Sequence, residues 1–251
     1  SKMGQVAVEA ARAAGYSNAG TVEFLVDQDM SFYFMEMNTR LQVEHPVTEL
    51  ITGVDLVREQ LEIAAGKPLG LSQEDIKARG HAIECRIYAE DPENDFMPSP
   101  GRIKRLHEPL GPGVRVDSYA YSGCEIPIYY DPLVSKLITW GSDRSQAIRR
   151  MERALEEYSV VGIATTIPFH AAVMRLPAFA KGETDTGFIE KHRLSFMGRE
   201  ESSEGLELAA VAAALTEHMK KTGIRVDHGP FEPRSRWKDS GRLEQLNARL
   251  L

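Results

Sequence analysis

Five polar side chains recur at every second position in one short stretch of this chain: Glu36, Asn38, Arg40, Gln42 and Glu44. Successive side chains of an extended backbone point to opposite faces, so this spacing predicts that all five line one face. Two carboxylates, two amides and a guanidinium have little use in a strand built only for packing. They suit a site that holds a metal ion beside a small oxyanion. Glu23 lies on a preceding β-branched and aromatic run and joins the set if the two runs pair with Glu23 opposite Glu36. The Cβ atoms would then be about 5 Å apart. Two unscreened carboxylates that close repel, and one would have to take up a proton. A divalent cation removes the conflict, and Mg²⁺ favours one or two carboxylates plus phosphate and water oxygens. Asn38 offers a neutral third oxygen. The bland alternative is a solvated edge face with unrelated glutamates.

Arg40 presents a planar fork that can bind bicarbonate or a similar oxyanion in bidentate fashion. Gln42 can add an amide contact, and Glu44 is a candidate general base for a proton within its reach. An ion pair between Arg40 and Glu44 is a structural alternative compatible with that role. His45 has the opposite parity and reads as a packed or capping histidine. Further on, Ile83, Cys85 and Ile87 form the apolar parity of a strand, which turns Glu84 and Arg86 to its other face. Arg86 could stabilise a developing oxyanion in a cleft. Its alternative is an outward arginine paired with Glu84 or Glu90. Cys85 reads as a small core residue.

The elements that must carry these groups follow from period and punctuation. Met3–Ala14 reads as an Ala-rich helix stopped by Gly15. Gly20–Val26 and Phe32–Asn38 read as a hairpin around the turn Asp27–Ser31. Pro46 suits the first turn of a helix. Asp55 is a candidate N-cap for a second helix with Leu56, Val57, Leu61 and Ala64 as its stripe and Gly66 past its end. Strands are expected at His81–Ala89, Gly101–His107, Gly113–Tyr119 and Leu133–Trp140, separated by Pro- and Gly-rich turns. Ser142 or Asp143 caps a helix to Tyr158 whose buried face is Ala147, Ile148, Met151, Ala154 and Leu155. Pro168 opens a shorter helix, and a charged helix is expected over 200–221 before a polar, basic end with an isolated Trp237. The expected organisation is 1–70, 71–192 and a helical or irregular tail, 193–251, in an α+β fold.

The 251 residues carry a formal net charge of −7, which argues against a nucleic-acid partner needing a basic footprint. No apolar stretch approaches membrane-spanning length. With only two cysteines, Cys85 and Cys124, a disulfide framework is not expected, and the default setting is reducing and cytoplasmic.

Gly20-Thr21-Val22-Glu23-Phe24, the run Glu36 to Glu49, Glu84-Cys85-Arg86-Ile87, Pro98-Ser99-Pro100-Gly101 and Tyr129-Tyr130-Asp131-Pro132 closely resemble the biotin carboxylase family. The resemblance runs from about Met3 to His192. It implies the C-terminal half of an ATP-grasp domain followed by a mixed, strand-rich biotin carboxylase C-terminal domain. The implied reaction is ATP-dependent carboxylation of biotin on a carrier protein, with bicarbonate as the carbon source and carboxyphosphate as the intermediate. By position, Glu23, Glu36 and Asn38 match the Mg²⁺ or Mn²⁺ ligands, with Glu36 also on the nucleotide side. Leu25 matches an adenine-pocket residue. Arg40, Gln42 and the Val43 backbone match the bicarbonate site, Glu44 the base, and Arg86 the residue that stabilises the biotin enolate. The family's Gly-rich phosphate loop and nucleotide-binding lysines have no counterpart here, so the chain by itself is not expected to turn over ATP. Implied partners are a biotin carboxyl carrier protein and a carboxyltransferase. Arg115 matches an arginine near the family's homodimer contact, although Pro112 replaces an aromatic there. Val161 to His170 leans toward acyl-CoA or pyruvate carboxylase subunits, and the tail after His192 lies outside the resemblance. Competing readings are another ATP-grasp ligase and a non-catalytic assembly module.

Overall fold

The computed structural model describes residues 2–193, 196, 210–215 and 217–218. The chain divides into a unit spanning Ser1–Gly198 and a second spanning Arg199–Leu251. In the second, residues 210–215 and 217–218 are helical. The remainder of the helix expected over 200–221, and the polar end with Trp237, lie outside the described residues. Among the described residues no helix is long and apolar enough to cross a membrane.

The first unit opens with helix α1 (Lys2–Ala13), and Gly15 at φ +63° turns the chain out of it. Strands β1 (Thr21–Val26) and β2 (Phe32–Asn38) then form the expected antiparallel hairpin. Glu23 does face Glu36, and the register shifts immediately after that pair, so that Phe24 faces Phe34. Met35 is left as the extra residue of a bulge, which bends the strand locally. The long alternation is not one strand, however. β2 ends at Asn38, and residues 39–44 form a turn. Helix α2 (His45–Thr52) starts at once after them with Pro46 in its first turn. The backbone at Glu44 has already left the extended region, at φ −82° and ψ 10°, so parity carries no information beyond Asn38.

Helix α3 (Leu56–Ala64) has its expected N-cap, with Asp55 Oδ1 accepting from the Arg58 amide at 2.9 Å. Its expected stripe is wrong. Val57 and Leu61 are exposed, whereas Leu56 and Ile63 turn inward with Val54, Leu71 and Ile76 around a cavity of about 270 Å³. Leu56 and Ile63 are two turns apart on one line of the helix. Val57 and Ala64 form the next line, about 100° away.

After residue 80, β3 (His81–Tyr88), β4 (Val114–Ser118) and β5 (Leu133–Gly141) make an antiparallel sheet in the order β3–β5–β4. The expected strand Gly101–His107 is broken. Gly101–Arg102 pairs with Glu125–Ile126, and Arg105–His107 pairs with Ser159–Val161. The change of partner falls between Ile103 and Lys104, whose amides reach Cys124 O at 2.8 Å and Val161 O at 2.7 Å. Helix α4 (Arg144–Glu157) is capped by Asp143, which accepts from the Gln146 amide at 2.8 Å. Its five expected apolar residues are all buried against Cys85, Ile87 and Leu137 in the core. Burying a Leu, Ile or Met side chain contributes about 1.5–3 kcal/mol, so this face anchors the helix. Helix α5 (Ile167–Met174) begins one residue before Pro168.

Candidate active site

Charged residues from all three strands share the face of the sheet that meets α2. Directly paired residues of antiparallel strands lie on the same face. Arg86, Lys136 and Asp117 therefore form one row across β3, β5 and β4. Glu84, Ile138 and Arg115 form the next row. The segment 43–49 docks on this grid at three points, one per strand. Arg86 donates to Glu44 Oε2 at 2.7 Å, Lys136 Nζ to the Val43 carbonyl at 3.1 Å, and Arg115 to Glu49 Oε2 at 2.7 Å. Asp117 ties two of these cations together, pairing with Arg115 at 2.7 Å and with Lys136 at 3.2 Å.

Next to this clamp lie the carboxylates of the hairpin. Asn38 Nδ2 donates to Glu23 Oε1 at 2.7 Å and to Glu36 Oε1 at 3.3 Å, and Gln42 Nε2 donates to the same Glu23 oxygen at 3.1 Å. Arg40 lies alongside, at 3.2 Å from the Leu41 carbonyl and 3.5 Å from Asn38 Oδ1. Glu23, Glu36, Asn38 and Gln42 thus converge even though Gln42 comes from a turn. Among the described residues no three His, Cys, Asp or Glu side chains converge as metal ligands. The donor set nevertheless suits a hard cation. An amide donor bridges the two carboxylates, and rotating it would present a third oxygen; with phosphate and water oxygens this is the mixed set Mg²⁺ favours. Leu25, two residues beyond Glu23 on β1, is 57% exposed.

Two expected ion pairs are replaced. The partner of Glu44 is Arg86 and not Arg40, because the turn swings residue 44 toward the sheet. Arg86 in turn chooses neither Glu84 nor Glu90. Burial opposes its charge, but Tyr88 and Glu44 outweigh that and hold its pKa above the usual guanidinium value. Its backbone is fixed from α5 and the residue before it, with Thr166 Oγ1 at 3.2 Å and His170 Nε2 at 2.9 Å from the Arg86 carbonyl. His45 behaves as expected, its Nδ1 2.7 Å from the Gln42 carbonyl. Cys85 is inert, its thiol pushed up to about 12 by burial.

Glu84 is the anomaly of the grid. Both its carboxyl oxygens are enclosed and make no hydrogen bond to the described residues. Burial raises its pKa from 4.5 to about 7, even with Lys136 and Arg86 pulling it down. Lys136, Asp117 and Glu49 were not legible as site residues. Nothing in their local sequence marks them, and only strand register places them there. The 270 Å³ cavity beside α3 contains none of the predicted site residues.

A hairpin with paired carboxylates, a turn whose Gln42 reaches one of them and a sheet-mounted arginine on Glu44 thus come together in one place. Residues 1–72 match the carbamoyl-phosphate synthase L chain ATP binding domain, and residues 84–191 match the biotin carboxylase C-terminal domain. The chain belongs to the biotin carboxylase family. It is 57% identical over 190 residues to the biotin carboxylase of a Nostoc species, covering 76% of this chain and 42% of that protein. It is 51% identical over 245 residues to the mitochondrial propionyl-CoA carboxylase alpha chain of Mus musculus, covering 92% of this chain and 34% of that one. The second alignment is too long to stop at His192, so the tail is not wholly outside the resemblance. Among solved structures, the biotin carboxylase domain dimer of Hydrogenobacter thermophilus 2-oxoglutarate carboxylase, in complex with MgADP, ADP and bicarbonate, superimposes with a TM-score of 0.77. It is 48% identical and covers 79% of this chain and 44% of that one. The chain spans roughly 40% of the length of the curated relatives it matches first, at 39%, 42% and 43%.

Proposed function

We propose that this chain supplies the bicarbonate- and biotin-handling part of a biotin carboxylase, working within a longer polypeptide or complex. One observation carries the reading. Glu44 and Arg86, from separate parts of the sequence, meet at 2.7 Å immediately beside the turn whose Gln42 reaches Glu23. In this reading Glu23, Glu36 and Asn38 hold Mg²⁺ or Mn²⁺ under the ATP phosphates, and Leu25 lines the adenine pocket. The metal, when bound, neutralises charge on the phosphates. Arg40, Gln42 and the Val43 amide seat bicarbonate. A Glu44 oxygen accepts its proton, and the resulting oxyanion attacks the γ-phosphorus to give carboxyphosphate and ADP. Protonation of Glu44 loosens its hold on Arg86, whose guanidinium is then available to the oxyanion of the biotin enolate.

The proposal includes a biotinyl carrier protein and a carboxyltransferase as partners, and a homodimer like that of the 2-oxoglutarate carboxylase domain. The reach of the propionyl-CoA carboxylase match into the tail supports an acyl-CoA acceptor over a keto acid. Acetyl-CoA, and with it fatty acid synthesis, falls within that class. Two free, buried cysteines support a reducing, cytoplasmic setting. We retain a division near residue 71, supported by the two family matches, over 1–72 and 84–191. The test is ADP release by the full-length parent protein. Release that needs bicarbonate and rises with free biotin is expected, and Glu44→Gln should abolish it. Release indifferent to both substrates refutes the reading and favours another ATP-grasp ligase.

A further inference from the structure

We infer that Lys136 is a positioning residue that sets the bicarbonate-binding turn, holding the Val43 carbonyl so that the Val43 amide and the Glu44 carboxylate face the same substrate. This rests on the proposed biotin carboxylase function and goes beyond it, since Lys136 touches none of the reacting groups assigned there.

The argument begins with how the turn is held. Residues 39–44 have no strand partner, so their shape depends on what grips them from outside. At the end of the turn, His45 grips the Gln42 carbonyl through its amide at 3.3 Å and its Nδ1 at 2.7 Å, but neither contact holds the Val43–Glu44 peptide. The Glu44 side chain is half exposed and its pair with Arg86 lies toward solvent, with side-chain exposures of 50% and 40%. Pairs of that kind contribute little rigidity. Lys136 is different. Its side chain is only 12% exposed, and its ammonium is 3.1 Å from the Val43 carbonyl and 3.2 Å from Asp117. A charged donor to a carbonyl in a sheltered place is among the stronger hydrogen bonds available. The carbonyl it grips belongs to the peptide unit joining Val43 to Glu44. Turning that unit rotates the base relative to the amide before it.

The supports of Lys136 are themselves built in. Asp117 is locked by Arg115, which also binds Glu49 of α2, so the chain Glu49–Arg115–Asp117–Lys136–Val43 starts and ends on the segment it positions. Burial opposes the charge of Asp117, but Arg115 and Lys136 outweigh it and keep its pKa below the usual carboxylate range. Glu84 lies one row away on the same face. Lys136 also sits directly opposite Arg86. Two cations in register on adjacent strands repel, which favours each keeping its own acceptor: Val43 and Asp117 for Lys136, Glu44 for Arg86.

The experiment uses Lys136→Met and Lys136→Arg in the full-length parent protein, with KM measured separately for bicarbonate and MgATP. Losing one charged hydrogen bond to the turn should raise the bicarbonate KM about ten-fold or more. The MgATP KM should stay within about two-fold, because the hairpin carboxylates do not touch Lys136. Lys136→Arg, which keeps a cationic donor, should recover most of the loss. Equal rises in both KM values, or no change in either, overturn the inference. Should Lys136→Met fail to fold, Asp117→Asn loosens the same ammonium without opening a gap and must give the same split. A wild-type protein lacking bicarbonate-dependent ADP release sinks the functional reading instead. The positioning claim is then judged on the ¹⁵N-labelled 251-residue chain, where Lys136→Met, or Asp117→Asn should that variant fail to fold, must shift the Val43 and Glu44 amide resonances and leave those of α4 in place. Unmoved Val43 and Glu44 resonances overturn it.

Discussion

Replacing Glu84 with Gln should stabilise the protein at alkaline pH and do nothing at acid pH. In the unfolded chain this carboxyl ionises near 4.5, and in the folded protein near 7. The unfolded state therefore gives up its proton first. The stability associated with the group is complete below about pH 4.5, falls as pH rises, and is lost once pH passes about 7. At 1.36 kcal/mol per pH unit the full separation corresponds to about 3 kcal/mol. The side chain is not wholly shielded, so solvent screening reduces this to about 1–2 kcal/mol. Gln keeps the shape and polarity of the protonated acid but cannot ionise, which isolates the charge. Urea unfolding of the 251-residue chain, followed by circular dichroism at pH 5, 6.5 and 8.5, would read the difference directly. The variant should gain on wild type by about 1–2 kcal/mol between the two ends. In thermal scans that amounts to about 3–6 °C. Two unfolding curves that stay parallel across this range would show that Glu84 titrates normally, and the enclosed, unpartnered carboxyl would then be wrong.

Two more outcomes follow from the same geometry. Arg86→Met should lower biotin-dependent turnover in the full-length protein by about a hundred-fold or more, the scale of losing one oxyanion donor. Its effect on stability, through a half-exposed ion pair, should stay under about 1 kcal/mol in urea unfolding; a larger loss would make Arg86 a structural residue. Asp143→Ala removes the acceptor for the Gln146 amide and should cost about 1 kcal/mol without altering either KM; an unchanged midpoint would mean Ser142 can take over the cap.

Where function was legible in the sequence, the cause was local. The hairpin was legible from its two β-branched and aromatic runs and the turn between them, and Glu23 does face Glu36, but the bulge at Met35 shifts the turn-side pairs by one and left no sign in the sequence. The buried face of α4 was legible because its apolar residues fall on one arc, and the caps at Asp55 and Asp143 because a short polar side chain before a helix has a specific job. The stripe on α3 failed for want of the same clarity: its apolar residues straddle two lines of the helix, and packing chose between them.

The residue types of the candidate site were determined by the sequence alone: carboxylates suited to a metal, a guanidinium suited to an oxyanion, a further carboxylate and a distant arginine. Their arrangement was a tertiary decision. Alternation ends at Asn38, so Arg40, Gln42 and Glu44 take their positions from a turn that has no periodicity to read. That turn is held by Arg86 and Lys136, and the helix after it by Arg115, one residue from each of three strands brought together by long-range pairing. Register across strands depends on the hydrogen-bonding and burial of whole elements and leaves no mark on a lone lysine, which is why the clamp became visible only in the folded chain.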